Sequence, residues 1–279
     1  MSDPPARAPG FVGRFLGSWE LALGELAIVF LGVLIALWAD QAIQARQESA
    51  RAVSYLERLQ EDVSADIDAL RFSSSQAQDR LAITRQVDAW IQDSSAVPDP
   101  DSLVSAVHFA GVTVSPTISK FTIEELQSTG DLRLLTNGAL KRQIADYYNQ
   151  IELQIGNWIA QSDQVNIETY FTEIAFVLDP ESRRRATTMD PALLRRLLNA
   201  SPDEAPSLMA EFQQGAPDIG ATRADASRIL DRMRTRPDFE GYLRNGMYMA
   251  HLTAQLLDGL ALSAEDLEAA IGEELEKLN

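Results

Sequence analysis

The hydrophobic positions of this chain change their pattern at Ala39. Leu21–Ala39 reads LALGELAIVFLGVLIALWA, 19 residues in which Glu25 is the only charge. A helix of that length rises about 28 Å, close to the roughly 30 Å of a bilayer's hydrocarbon core. The run predicts a single transmembrane helix over 21–39, preceded by an N-terminal tail over 1–20. A cleaved signal peptide fits less well: Trp38, Ala39 and Asp40 lead straight into a helical pattern, with no small-residue cleavage site. From Asp40 to Asp93 there is neither proline nor glycine. Leu56, Leu59, Val63, Ile67, Leu70, Ala77, Leu81 and Ile91 recur there at three- and four-residue steps or their multiples. That spacing predicts an amphipathic helix over about 40–93, continuous with the membrane helix. A bend is expected at Phe72-Ser73-Ser74-Ser75, and Pro98 and Pro100 end the helix.

The remaining pattern is helical as well. A short helix is expected around Ser102–Ala110, then an extended connection over Gly111–Lys120, which carries β-branched residues and Pro116. Thr122-Ile123-Glu124-Glu125 has the form of a capping box, with Thr122 accepting from the third amide and Glu125 reaching back. Gly130 is expected in the left-handed conformation after that helix. Thr136 or Asn137 should cap a long helix over about 138–176, whose apolar face includes Leu140, Ile144, Tyr147, Ile151, Ile159, Tyr170 and Ile174. Prolines punctuate an irregular segment over 180–236. After Pro237, apolar residues from Leu243 through Met247, Leu257, Leu267 and Ile271 to Leu278 keep a three/four spacing and predict a helix over 238–278. Seven acids in its last 22 residues oppose the helix dipole, so that end is expected to fray. Three long amphipathic helices must cover one another's apolar faces. The expected fold is therefore all-α: an N-terminal membrane helix continuing into an elongated antiparallel helical bundle over 40–279.

Helical geometry brings particular residues of the membrane run together. At 100° per residue Glu25, Gly32, Ala36 and Ala39 fall within about 40° of one another. This face of one acid and three small residues suits close approach of a second helix. Glu25 could equally lie near the membrane surface and extend to water. Arg7 and Arg14 precede the span and Arg46, Arg51 and Arg58 follow it, so the positive charges do not set the orientation. A long downstream domain crosses largely regardless of charge, and the bundle is expected on the extracytoplasmic side.

Composition narrows the chemistry. The chain has 279 residues with 41 acidic and 24 basic side chains, a net charge of −17 at pH 7, and a mean hydropathy of −0.13. Such a surface repels phosphate, so nucleic acid is not an expected partner. Without cysteine there is no disulfide, thiol nucleophile or zinc–thiolate site. The two histidines, His108 and His251, stand in no metal spacing, and no phosphate loop, dinucleotide fingerprint or hydrolase motif occurs. Neither catalytic residues nor a cofactor or metal are expected. The basic run Arg183-Arg184-Arg185, with Arg195 and Arg196 beyond it, reads as a solvated surface balancing nearby carboxylates.

Two segments resemble a known family. Gly24–Ile67 is similar to a bacterial pattern G-E-I-x-L-V-x-x-G-I-L-I-A-L-x-x-N-x-W followed by E-x-x-Y-L-x-x-L-x-x-D-L. Thr122–Glu152 resembles its second hallmark, Y-E-E-L-x-S-S-G-x-L-x-L-I-x-N-x-x-L ending in Y-Y. The family is domain of unknown function 6090, a group of bacterial membrane proteins. Ala39-Asp40-Gln41-Ala42 departs from its asparagine-rich membrane end. The resemblance implies a single-pass anchor in the bacterial inner membrane and a helical domain, with no catalytic residues to carry over. Thr122, Glu125, Gly130, Leu132, Leu135 and Asn137 would form a tightly capped corner, with Leu126 beside them, closing one end of the bundle. The expected role is a non-catalytic interaction or scaffold module whose partners are the membrane and a second copy or another membrane protein. The alternative is an extracytoplasmic sensory domain holding a small ligand between helices.

Overall fold

A computed structural model of the chain describes residues 11–113, 115–186, 196 and 219–278; for 11–25 and for scattered helical positions, residues 161–167 among them, only the backbone is described. These residues are predominantly helical, with no strand among them. The elements are α1 (Phe11–Gln92), α2 (Pro100–Phe109), α3 (Phe121–Thr129), α4 (Gly138–Ile151), α5 (Ala160–Val177), α6 (Pro180–Ala186), α7 (Arg223–Arg234) and α8 (Pro237–Leu278). The chain divides into two compact units, residues 1–54 and 55–279.

In the first unit the described side chains from Leu26 to Trp38 are exposed, those of Ile28 and Trp38 by more than 70%. This is the one described helix long and apolar enough to cross a membrane.

The second unit is built on three long helical stretches, and their cross-links give the directions. Arg71 pairs with Glu265, Ser74 Oγ donates to Asp258, and Gln92 Nε2 donates to Glu240, so residue numbers rise along α1 as they fall along α8. Asn137 Nδ2 donates to Glu274 and the Tyr170 ring lies 6.1 Å from that of Phe239, so α8 is antiparallel to α4–α5 too. It follows that α1 and α4–α5 run the same way. The return is made by α2, the extended segment 115–120 and α3. The expected antiparallel arrangement thus holds for α8 against both partners, while the other two long stretches are parallel.

Local chemistry sets most helix ends. Asp99 caps α2 by accepting from the Ser102 amide at 3.0 Å, with Pro100 in the first turn. Asp179 does the same for α6 through the Ser182 amide at 3.0 Å. Thr222 and Asp225 form a reciprocal capping box at the start of α7. The helix predicted over 138–176 is continuous but changes hydrogen-bonding pitch: Glu152–Ile159 is a π-helical turn between α4 and α5. Asn157 Nδ2 donates to Glu152 O at 3.2 Å within it, offering that carbonyl a side-chain donor, and Gly156 has little helix propensity to resist the widening.

The Phe72–Ser75 stretch is helical: Ser73 and Ser74 are buried and Ser74 Oγ bonds across to α8, so its polar atoms are used in packing. One expectation needs correction. The acidic end of α8 is helical to Leu278. Glu274 there is buried and accepts from Asn137, while Leu267, Ile271 and Leu275 pack inward, which outweighs the unfavourable dipole. Met247 is half-buried and Leu278 exposed, at the margins of the apolar face that the spacing drew.

At the far end of the unit Leu103, Val107, Ile174, Ile229, Phe239 and Leu243 belong to one buried cluster joining α2, α5, α7 and α8. Three arginines of one short segment tie this end together. Arg234 donates to the carbonyls of Trp90, Ile91 and Asp93 at the end of α1, and Arg232 to Val177 O at the end of α5. Arg236 pairs with Glu173 at 2.6 Å and lies 4.5 Å from the Phe176 ring centroid. Cationic donors on unsatisfied C-terminal carbonyls are favoured by both hydrogen bonding and the dipole.

Candidate functional site

The residues singled out in the membrane run all lie on α1. Gly32, Ala36 and Ala39 are exposed, and a Cβ added at Gly32 would meet nothing within 4 Å. The side chain of Glu25 lies outside the described residues.

The corner residues converge at one end of the bundle, with a different division of labour from the one expected. Gly130 takes φ 75°, the left-handed position after α3. Asn137 Oδ1 accepts from the amides of Ala139 and Leu140 at 3.0 and 3.2 Å, capping α4 while its amide group holds Glu274. Leu126 and Leu135 are buried and Leu132 half-buried. Thr122 and Glu125 do not form a capping box. The helix begins two residues earlier, with Lys120 at the N-cap making no side-chain cap bond. Thr122 is buried in the first turn, and its amide donates to Asp62 Oδ2 of α1 at 3.2 Å. Glu125 turns outward to Arg58, whose guanidinium holds its carboxyl below the usual range. The Arg58 guanidinium carbon lies 5.6 Å from the ring centroids of both Tyr55 and Phe121. Tyr55 Oη donates to Asp131 at 3.1 Å, completing the set.

A second carboxylate, one turn along α1 from Asp62, is buried. Asp66, 1% exposed, accepts from the Ser119 amide at 2.7 Å and from Tyr147 Oη at 2.9 Å. Tyr148 Oη donates to Ser119 O at 3.3 Å. Asp62 thus receives an amide of the first turn of α3, and Asp66 the amide of Ser119 just ahead of that helix. Burial raises the Asp66 carboxyl to about 7 against the lowering effect of its two donors, and the Asp62 charge adds to the rise. Burial likewise raises the phenols of Tyr147 and Tyr148 far beyond their ordinary value. The spacing of α1 carried a signal for Asp66: it lies three residues after Val63 and four before Leu70, on the buried stripe itself.

Elsewhere the bundle offers a cavity of about 120 Å³ between α1, residues 110–111, α5 and α8. Arg80, Thr84, Tyr170, Tyr242 and Asn245 are in its wall. Tyr170 Oη is engaged by Val107 O at 2.7 Å, and a Cβ built on Gly111 would overlap the Tyr170 ring, so glycine is required there. The basic run behaves as a balanced surface. Glu181 pairs with Arg184 and Arg185, which pull its carboxyl down to about 2, and Arg185 also donates to Ile219 O at 2.8 Å. His108 is buried, and burial lowers its basicity; His251 is exposed. No group of three or more potential metal ligands occurs among the described residues.

No model of a known protein family, no curated protein and no solved structure matches the chain.

Proposed function

We propose that this protein is a non-catalytic, membrane-anchored interaction module, held in the bacterial inner membrane by residues 21–39, with its helical bundle on the extracytoplasmic side. The observation that carries the reading is the uncovered apolar surface of α1, where Leu26, Ile28, Phe30, Ile35 and Trp38 are each more than 60% exposed. A helix apolar on every side is stable when hydrocarbon surrounds it. The Gly32, Ala36 and Ala39 positions then give a second transmembrane helix, from another copy or from a membrane-protein partner, room for close backbone approach. Membership of the domain of unknown function 6090 family belongs to the same reading and is supported by the two sequence blocks.

Crosslinking in native membranes tests the proposal. A dimer or a discrete partner adduct is expected, and Gly32→Leu should reduce its yield severalfold, since that side chain would meet only the incoming helix. A monomer that no crosslinker traps, or adducts that Gly32→Leu leaves unchanged, would overturn it. Protease added outside intact spheroplasts should digest the bundle; protection would reverse the assigned orientation.

A further inference from the structure

Asp66 is shut off from water by a thin piece of chain. It is 1% exposed, yet residues 115–120, which meet it through Ser119, form an extended segment in which no residue is buried. Polar contacts hold that segment down. The Ser119 amide donates to Asp66 Oδ1, Ser119 O accepts from Tyr148 Oη, and Lys120 Nζ pairs with Glu152 at 2.8 Å. The other donor to Asp66 is fixed differently: Tyr147 is carried on α4, which also buries Leu140, Ile144 and Ile151. Less apolar burial opposes the lifting of residues 115–120 than the displacement of α4, so an opening around Asp66 starts at the segment.

We propose that residues 115–120 are a proton-controlled strap, closed on α1 while the Asp66 carboxyl is protonated and released, with the first turn of α3, when that carboxyl carries its charge. The protonated group keeps both contacts: Oδ1 still accepts from Ser119, and Oδ2–H can donate to Tyr147 Oη, since a phenol oxygen accepts as well as donates. The charged group has only neutral donors in a site withdrawn from water. Its surroundings add repulsion. Asp62 stands one turn away on α1, Lys120 is committed to Glu152, and Arg58 to Glu125 of α3. From α4 come the phenols of Tyr147 and Tyr148. On α8 the level of Asp66 lies between Glu265, paired with Arg71, and Gly272, beside Gln60; it carries the buried Leu267 and Ile271 and the half-buried Glu268. The rise of the Asp66 carboxyl to about 7 sets the transition near neutral pH. Release brings Asp62, Asp66, Tyr147 and Tyr148 to water as one patch. The inference does not depend on the membrane-anchor reading, because every residue it uses lies in residues 55–279.

Hydrogen exchange of the full chain in detergent, followed by peptide between pH 5 and pH 8 and corrected for the intrinsic rate, provides the test. Protection of the amides of 119–122 should fall about 10- to 100-fold over that range, as linkage requires if release returns the carboxyl from about 7 to its ordinary 3.8. At pH 8 the amides of 140–151 and 257–275 should remain at least about tenfold better protected, and low denaturant should speed their exchange but not that of the strap. Asp66→Asn keeps both histidines and should abolish the pH dependence of the strap. Should that variant fail to fold, Tyr147→Phe takes its place: it removes a donor that favours the charged form, so the midpoint should move up by about 0.5–1 pH unit. Constant strap protection from pH 5 to pH 8 overturns the proposal. So does an undiminished pH dependence in Asp66→Asn, or an unmoved midpoint in Tyr147→Phe. Exchange of the strap only in step with α4 and α8, with the same denaturant dependence, would mean that the whole bundle opens and would reject a strap.

Discussion

Asp66 concentrates the physics of this bundle in one side chain. Its carboxylate is withdrawn from water and meets two neutral donors, with Asp62 one turn away. With the folded value near 7 and the ordinary value near 3.8, the native state binds this proton more tightly than the unfolded chain does. The stability Asp66 contributes is therefore complete below about pH 4 and is lost as pH rises toward 7, by up to about 4 kcal/mol. Asp66→Asn keeps an acceptor for the Ser119 amide and removes the titration. The parent's advantage over this variant should be largest at about pH 4 and below, shrink steadily to about pH 7 and stay flat above it. Chemical unfolding of both proteins across that range checks the sign. A parent that gains on the variant as pH rises would contradict it.

At the scale of elements, helix ends held from a distance distinguish this fold. Arg234 places three donor contacts on the last carbonyls of α1 from 141 to 144 residues away. Arg234→Gln should cost about 1–3 kcal/mol, the range for leaving half-buried polar groups poorly satisfied. Arg228→Gln, on the exposed side of the same helix, should stay within about 0.5 kcal/mol. Denaturant midpoints of the two variants separate these outcomes. The same long-range partnership marks the limit of what the sequence makes legible. The three long helices follow from three/four spacing, and Gly130 and Asn137 follow from local turn and cap chemistry. Thr122 and Glu125 do not, because their partners are Asp62 and Arg58 on another helix, and a local motif weighs only local partners. On α1 the residues Val63, Asp66, Leu70, Ser73, Ala77, Arg80, Thr84 and Val87 are all buried at alternating three- and four-residue steps. The apolar members of that stripe are visible as hydrophobicity. The polar members are visible only as spacing, and Asp66 is one of them.

At the scale of the whole molecule, apolar surface is distributed unequally between the two units. Residues 55–279 bury their long helices against one another, whereas Leu26–Trp38 remain uncovered. A chain restricted to residues 40–279 should therefore be monodisperse without detergent and retain cooperative unfolding, while the full chain should need detergent or lipid. Gel filtration and circular dichroism of both chains would decide this. Aggregation of the shortened chain would mean that the bundle has an apolar face of its own to cover.

The parallel run of α1 and α4–α5 also has a consequence for biosynthesis. The α1 stripe closes against α8 through contacts such as Arg71 with Glu265, 194 residues apart, so local helix formation cannot shelter it. A ribosome adding about 5–20 residues per second leaves the part of that surface that α8 covers bare for roughly 10–40 s after α1 is made. Throughout that interval the nascent chain presents a sticky amphipathic rod, and the machinery that receives it must prevent premature association until its final helix arrives.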